Sequence, residues 1–191
     1  MDPSLLGRPM PAPTAQRQNG GGRKRLILLI IGGLIALIAG GFMLSRSGDQ
    51  SAELQKTLSA RQATTLALIT DGQKNIQNGT LSKLNSDISI ILNGDNVALQ
   101  AALADAGLKK IDKEITAAEA DTATFEELTD ARLNATYDGV YRRIITTKLE
   151  SLSALLRETN SATKSRSLKA AIKQEYEHIA GFLIELNKLT L

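Results

Sequence analysis

"SLKAAIKQEYEHIAGFLIELNKL", residues 167–189, places Leu168, Ile172, Tyr176, Ile179, Leu183, Leu186 and Leu189 three or four residues apart. Because 3.6 residues complete a helical turn, that spacing gathers all seven on one stripe. A half-buried strand would alternate every second residue, and this stretch does not. It predicts a terminal helix with one apolar seam, and such a seam needs other helices to cover it.

Working outward, "NSATKS" at residues 160–165 is a polar turn in which Ser161, Thr163 or Ser165 can cap the terminal helix. Before it, Lys109 to Glu158 reads as one long helical stretch. Its apolar side runs through Ile111, Ile115, Ala118, Phe125 and Leu128, then through Tyr137, Tyr141, Ile144, Ile145, Leu149, Leu152 and Leu156. Asp138-Gly139 is a candidate bend. Asp95 can cap a short helix through Val97, Leu99 and Leu103 that ends near Gly107. Thr80 can cap another that bears Leu81, Leu84, Ile88, Ile91 and Leu92 and stops at Asn93-Gly94. A first helix starts at Asp49 or Gln50 and carries Leu54, Leu58, Leu66 and Ile69, with ends or kinks at Asp71-Gly72 and Asn78-Gly79. The expected fold class is all-α: an elongated bundle of about four main helices over residues 46–191.

Its aromatic residues are only Phe125, Phe182, Tyr137, Tyr141 and Tyr176, so the core must be leucine and isoleucine with alanine and threonine. Residues 112–138 carry eight acids against Lys113 and Arg132, while residues 142–173 carry eight bases against Glu150 and Glu158. These stretches are expected to lie antiparallel and attract, or else to meet charged partners.

Ahead of the bundle, Leu26 to Leu44 is a run of nineteen uncharged, mostly branched residues. As a helix it would be roughly 28 Å long, about the hydrocarbon thickness of a bilayer. It exceeds the apolar core of a cleaved export signal and exits through Phe42-Met43-Leu44-Ser45-Arg46 instead of small residues. Residues 23–45 are therefore read as a retained signal-anchor, a single transmembrane helix. Arg8, Arg17, Arg23, Lys24 and Arg25 precede it against one acid, Asp2, which orients the N-terminus to the cytoplasm and residues 46–191 outside the cell membrane. Gly32, Ala36 and Gly40 recur every four residues, a ridge on which another span can pack closely. Residues 1–22 hold all four prolines and read as a disordered cytoplasmic leader. From Leu26 onward there are 18 bases and 19 acids, so the pI of 9.2 belongs to the anchor flank and gives no support to a nucleic-acid partner.

Chemistry-bearing patterns are sparse. Cysteine is absent, which removes disulfides, thiolate metal sites and thiol nucleophiles. Glu175-x-x-His178 has the one-turn spacing with which helical bundles hold a di-metal centre, making Glu175 and His178 weak metal candidates. His178 is the single histidine, so the second Glu-His pair is missing, and a surface Glu beside a polar His at the seam edge is the expected reading. No Ser-His-acid grouping or phosphate-cradling loop is discernible. Tyr137, Tyr141 and Arg142 form a candidate ligand contact, since arginine offers a rigid donor fork and tyrosine a flat hydrogen-bonding surface. Asn78-Gly79-Thr80 and Asn134-Ala135-Thr136 match the glycosylation sequon.

Together these features predict a non-enzymatic, membrane-anchored interaction or scaffold subunit of a cell-envelope assembly, with no cofactor. Its expected partners are the lipid bilayer and other membrane or envelope proteins, or further copies of itself. The seam Leu168, Ile172, Tyr176, Ile179, Leu183 and Leu186 is expected to serve the core or a docking surface. An alternative is a small-molecule-binding sensory ectodomain acting through a partner that crosses the membrane. A remote one is a ferritin-like metal-binding oxidoreductase. A type IV pilin would need a glutamate at the fifth mature residue, where cutting after Gly22 puts Ile27.

Overall fold

The computed structural model describes residues 49–191, and among them the secondary structure is entirely helical. The elements are α1 (Asp49–Asn75), α2 (Gly79–Asp105), α3 (Lys113–Glu119), α4 (Thr122–Leu133), α5 (Tyr137–Ala162) and α6 (Arg166–Lys188). The four long ones close a ring: α1 and α6 each lie against both α2 and α5. Short turns make α1–α2 and α5–α6 antiparallel hairpins. Tyr137 at the start of α5 donates its hydroxyl to Asp71 near the end of α1 at 2.6 Å, and Arg61 of α1 donates to Ser151 of α5 at 3.1 Å. Helices α1 and α5 therefore run antiparallel, which makes α2 and α5 parallel. The chain must travel back along the bundle between them, and residues 106–136 make that crossover.

The crossover is laid on by charge more than by burial. Helix α3 buries no residue and α4 buries Leu128 and Ala131. Arg61 grips both carboxylate oxygens of Glu119 at 2.9 and 2.7 Å, and Lys56 meets Asp112 at 2.7 Å. On the α5 side, Lys148 meets Asp121 at 2.5 Å and Arg143 pairs with Glu127. The acid-rich stretch thus lies against bases of α5, as its charge pattern predicts, and also against α1.

Several boundaries differ from expectation. Helix α2 runs unbroken through Asn93-Gly94, because Ile88, Leu92, Leu99 and Leu103 continue one buried row and Asp95 turns into the bundle instead of capping. Asn78, not Thr80, caps α2: its side chain accepts from the Thr80 and Leu81 amides at 3.0 Å each. The stop near Gly107 is found there; Gly107 takes φ +103° while Leu108 donates to the Leu103 carbonyl at 2.9 Å. The single helix expected from Lys109 to Glu158 is instead three. Asp121 (φ +53°) precedes α4, and Ala135 (φ +55°) ends it in the same left-handed way, with Thr136 donating to the Ala131 carbonyl at 2.9 Å. Asp138-Gly139 does not bend α5. The Asp138 carboxylate accepts from the amides of Gln77 and Asn78 at 3.0 and 2.7 Å, tying the α1–α2 corner to the start of α5. Ser165 caps α6, accepting from the Leu168 amide at 3.3 Å.

The predicted anchor at residues 23–45, its ridge of Gly32, Ala36 and Gly40, and the leader lie outside the described residues. Among the described residues, no helix is long and apolar enough to cross a membrane.

Candidate functional site

The predicted α6 seam faces the core. Leu168, Ile172, Glu175, Ile179, Phe182 and Leu186 are its buried row, spaced 4-3-4-3-4, with Tyr176, Leu183 and Leu189 packed half-buried beside it. It is therefore spent on the bundle and offers little for docking. Glu175 corrects the expectation of a surface acid: it occupies the centre of the seam and is 0 % exposed. Gln62 of α1, also 0 % exposed, is its polar neighbour, yet neither the amide nor the carboxylate oxygens close a hydrogen bond of good geometry. Burial, and then the nearby Asp95 carboxylate, push the Glu175 carboxyl up to about 8, with the Gln62 amide opposing. At neutral pH it is a neutral acid inside an apolar bundle.

Asp95 is buried but satisfied, accepting from Gln174 at 2.9 Å and meeting His178 Nδ1 at 2.6 Å. His178, half-exposed, thus turns to Asp95 and does not join Glu175 about a common point. Among the described residues, no group of three or more His, Asp or Glu converges to hold a metal ion.

Tyr137, Tyr141 and Arg142 are likewise separated. Their one-turn offset stacks the two rings, with centroids 5.7 Å apart, but Tyr141 is fully buried and its hydroxyl donates to Asn85, whose amide donates to the Ile69 carbonyl at 3.0 Å. Burial raises both phenols above their ordinary range, Asp71 adding to the effect at Tyr137. Arg142 donates to the Leu189 carbonyl at 2.5 Å and so holds the C-terminal residues. Tyr137 lines a cleft of about 340 Å³ together with Asn75, Asn78, Arg132, Asp138 and Leu191. Of the sequon residues, Asn78 spends its side-chain oxygen on the α2 cap, and Asn134 is exposed with its amide on the Asp130 carbonyl at 2.8 Å.

The feature that sequence reasoning missed is the outer face of α2. Between Asp87 and Asp105 the only charged residue is Asp95, and Asp95 points inward. What remains outside is Ile90 (73 % exposed), Val97 (71 %) and Ile91, with exposed Asn93, Gly94, Ala98, Ala101 and Ala104 between and below them. The crossover covers α1 and α5, so none of the described elements shields this face. The signal was present in the charge spacing, but reading it required knowing which way Asp95 turns. No family model, curated protein or solved structure matches this chain.

Proposed function

We propose that this protein is a non-enzymatic, membrane-anchored interaction subunit. Leu26–Leu44 spans the cell membrane, the N-terminus stays in the cytoplasm, and the helical bundle stands outside, where the bare face of α2 docks on protein. The observation that carries the reading is that face: four turns of exposed helix without a charge. Charged residues are the usual cover of a solvated helix, and their absence over a continuous stripe marks a surface kept for contact.

The small-molecule reading has the cleft beside Tyr137 in its favour. Two of its polar groups are already committed, however: Asp138 to two backbone amides and the Tyr137 hydroxyl to Asp71. The interaction reading is therefore preferred.

The test uses the full chain in its native membrane, with single cysteines placed in a cysteine-free background. Glu126→Cys is expected to react with an impermeant maleimide in intact cells, Ser4→Cys only after lysis, and both chains to remain in the membrane through alkaline extraction. Recovery in the soluble fraction, or the opposite labelling pattern, overturns the anchor and its orientation.

A further inference from the structure

We infer that one end of the bundle, formed by the loop after α2 and the α5–α6 turn, binds the headgroups of anionic phospholipids. The anchored reading above supplies the bilayer, and the charge of this end supplies the contact.

Lys109 and Lys110 follow α2, while Lys164, Arg166 and Lys169 lie in or just after the α5–α6 turn, far along the chain. All five are exposed. The fold brings them to one place: Ser51, Gln55 and Ala106 line two neighbouring clefts, of which one reaches Lys109 and Lys110 and the other Lys164. Among the described residues none of the five meets an acid, whereas Lys56, Arg61, Arg143 and Lys148 along the sides of the bundle are each paired. Nearby, Glu53 and Asp112 share Lys56, Glu114 adjoins Lys113 and Asp105 is exposed, which leaves positive charge in excess. Arg166 and Lys169 stand at the start of α6, where the helix dipole disfavours a cation and the first turn holds no acid. They therefore do not serve the helix that carries them.

The surroundings select the kind of anion. A small one needs converging donors, but Gln55 spends its amide on Ser51 at 3.3 Å, and the Thr163 hydroxyl oxygen accepts from the Ser165 amide at 3.2 Å. A protein partner needs apolar anchors, and lysine is depleted where proteins meet. The exposed large apolar residues, Ile90, Ile91, Val97, Leu133, Ile184 and Leu191, all lie elsewhere on the bundle. Four lysines and an arginine on flexible stems match instead a field of many charges, as a layer of anionic headgroups presents.

The test uses the full chain in vesicles, with a bimane on Ala170→Cys at this end or on Gln77→Cys at the α1–α2 corner. Quenching of the Ala170 label by a headgroup nitroxide is expected to be at least about threefold stronger with about 30 mol % phosphatidylglycerol than in pure phosphatidylcholine. It should fall back in about 1 M salt. It should also fall back when Lys109→Gln, Lys110→Gln, Lys164→Gln and Arg166→Gln are combined, a variant whose thermal unfolding is not lowered. The Gln77 label should not respond to the anionic lipid. Equal quenching in the two compositions, quenching that survives the combined substitution, or an equal response from Gln77 overturns the contact. Protection of the lysines from acetylation by soluble polyphosphate, with no response to phosphatidylglycerol, would assign the end to a free polyanion and likewise overturn it. Flotation with pure phosphatidylcholine vesicles in about 1 M salt reports the anchor separately, because charge contributes little there.

Discussion

Glu175 shows how much one side chain's surroundings decide. The unfolded carboxyl titrates near 4.5 and the folded one near about 8, so between those values the folded state holds a proton that the unfolded state has lost. Stability therefore falls as pH rises through that window, at a limiting slope of about 1.4 kcal/mol per pH unit. Glu175→Gln keeps the size and a donor but cannot ionise. It is expected to match the parent near pH 4.5 and to exceed it by several kcal/mol near pH 9, as read from urea melts across that range. Parallel curves for the two proteins would mean that the carboxyl is charged in the fold. Asp95 is the contrasting buried acid, since Gln174 donates to it and His178 Nδ1 lies against it, whereas Glu175 has no such partner.

At the scale of an element, helices α1 and α6 each contain an interior glycine with opposite roles. Gly72 lies in α1, where an added Cβ would fall 2.5 Å from Cζ of Tyr141 and 2.6 Å from its hydroxyl. That ring is buried and bonded to Asn85, so it has nowhere to move. Gly181 is exposed in α6, and among the described residues nothing lies within 4 Å of its Cβ position. Gly72→Ala is therefore expected to destabilise by about 1–3 kcal/mol through overpacking, despite alanine's better helix propensity. Gly181→Ala should stabilise by up to about 1 kcal/mol through that propensity alone. Chemical denaturation of the two variants beside the parent checks both signs, and a stabilised Gly72→Ala would remove the close α1–α5 approach from the argument.

For the whole molecule, the four long helices and the crossover differ in what holds them. The ring of α1, α2, α5 and α6 shares a continuous apolar core, whereas α3 buries nothing and α4 little, their attachment resting on part-exposed ion pairs worth about 0–1 kcal/mol each. Residues 109–133 are therefore expected to exchange amide hydrogens well before the four long helices, and faster still in about 1 M salt, where such pairs are screened. Hydrogen exchange followed by mass spectrometry resolves the two regions. Uniform protection across the bundle would show that the crossover unfolds only with the core.

The sequence by itself determined the helical class, the start of α1, the stop near Gly107, a cap for α6 within residues 161–165 and the inward stripe of α6, because those follow from local spacing and from strong punctuation such as Gly107 and Ser165. It did not determine the break at Ala135, since an alanine in a left-handed turn carries no glycine to announce it, nor the continuity of α2 through Gly94, where burial on both sides outweighs a local stop signal. Only the tertiary structure decided that Glu175 is inside, that Tyr141 belongs to the core, and that Asp95 leaves the outer face of α2 without charge. The reason is common to all three: spacing tells which residues share a stripe, but which stripe is covered depends on helices far away in the chain.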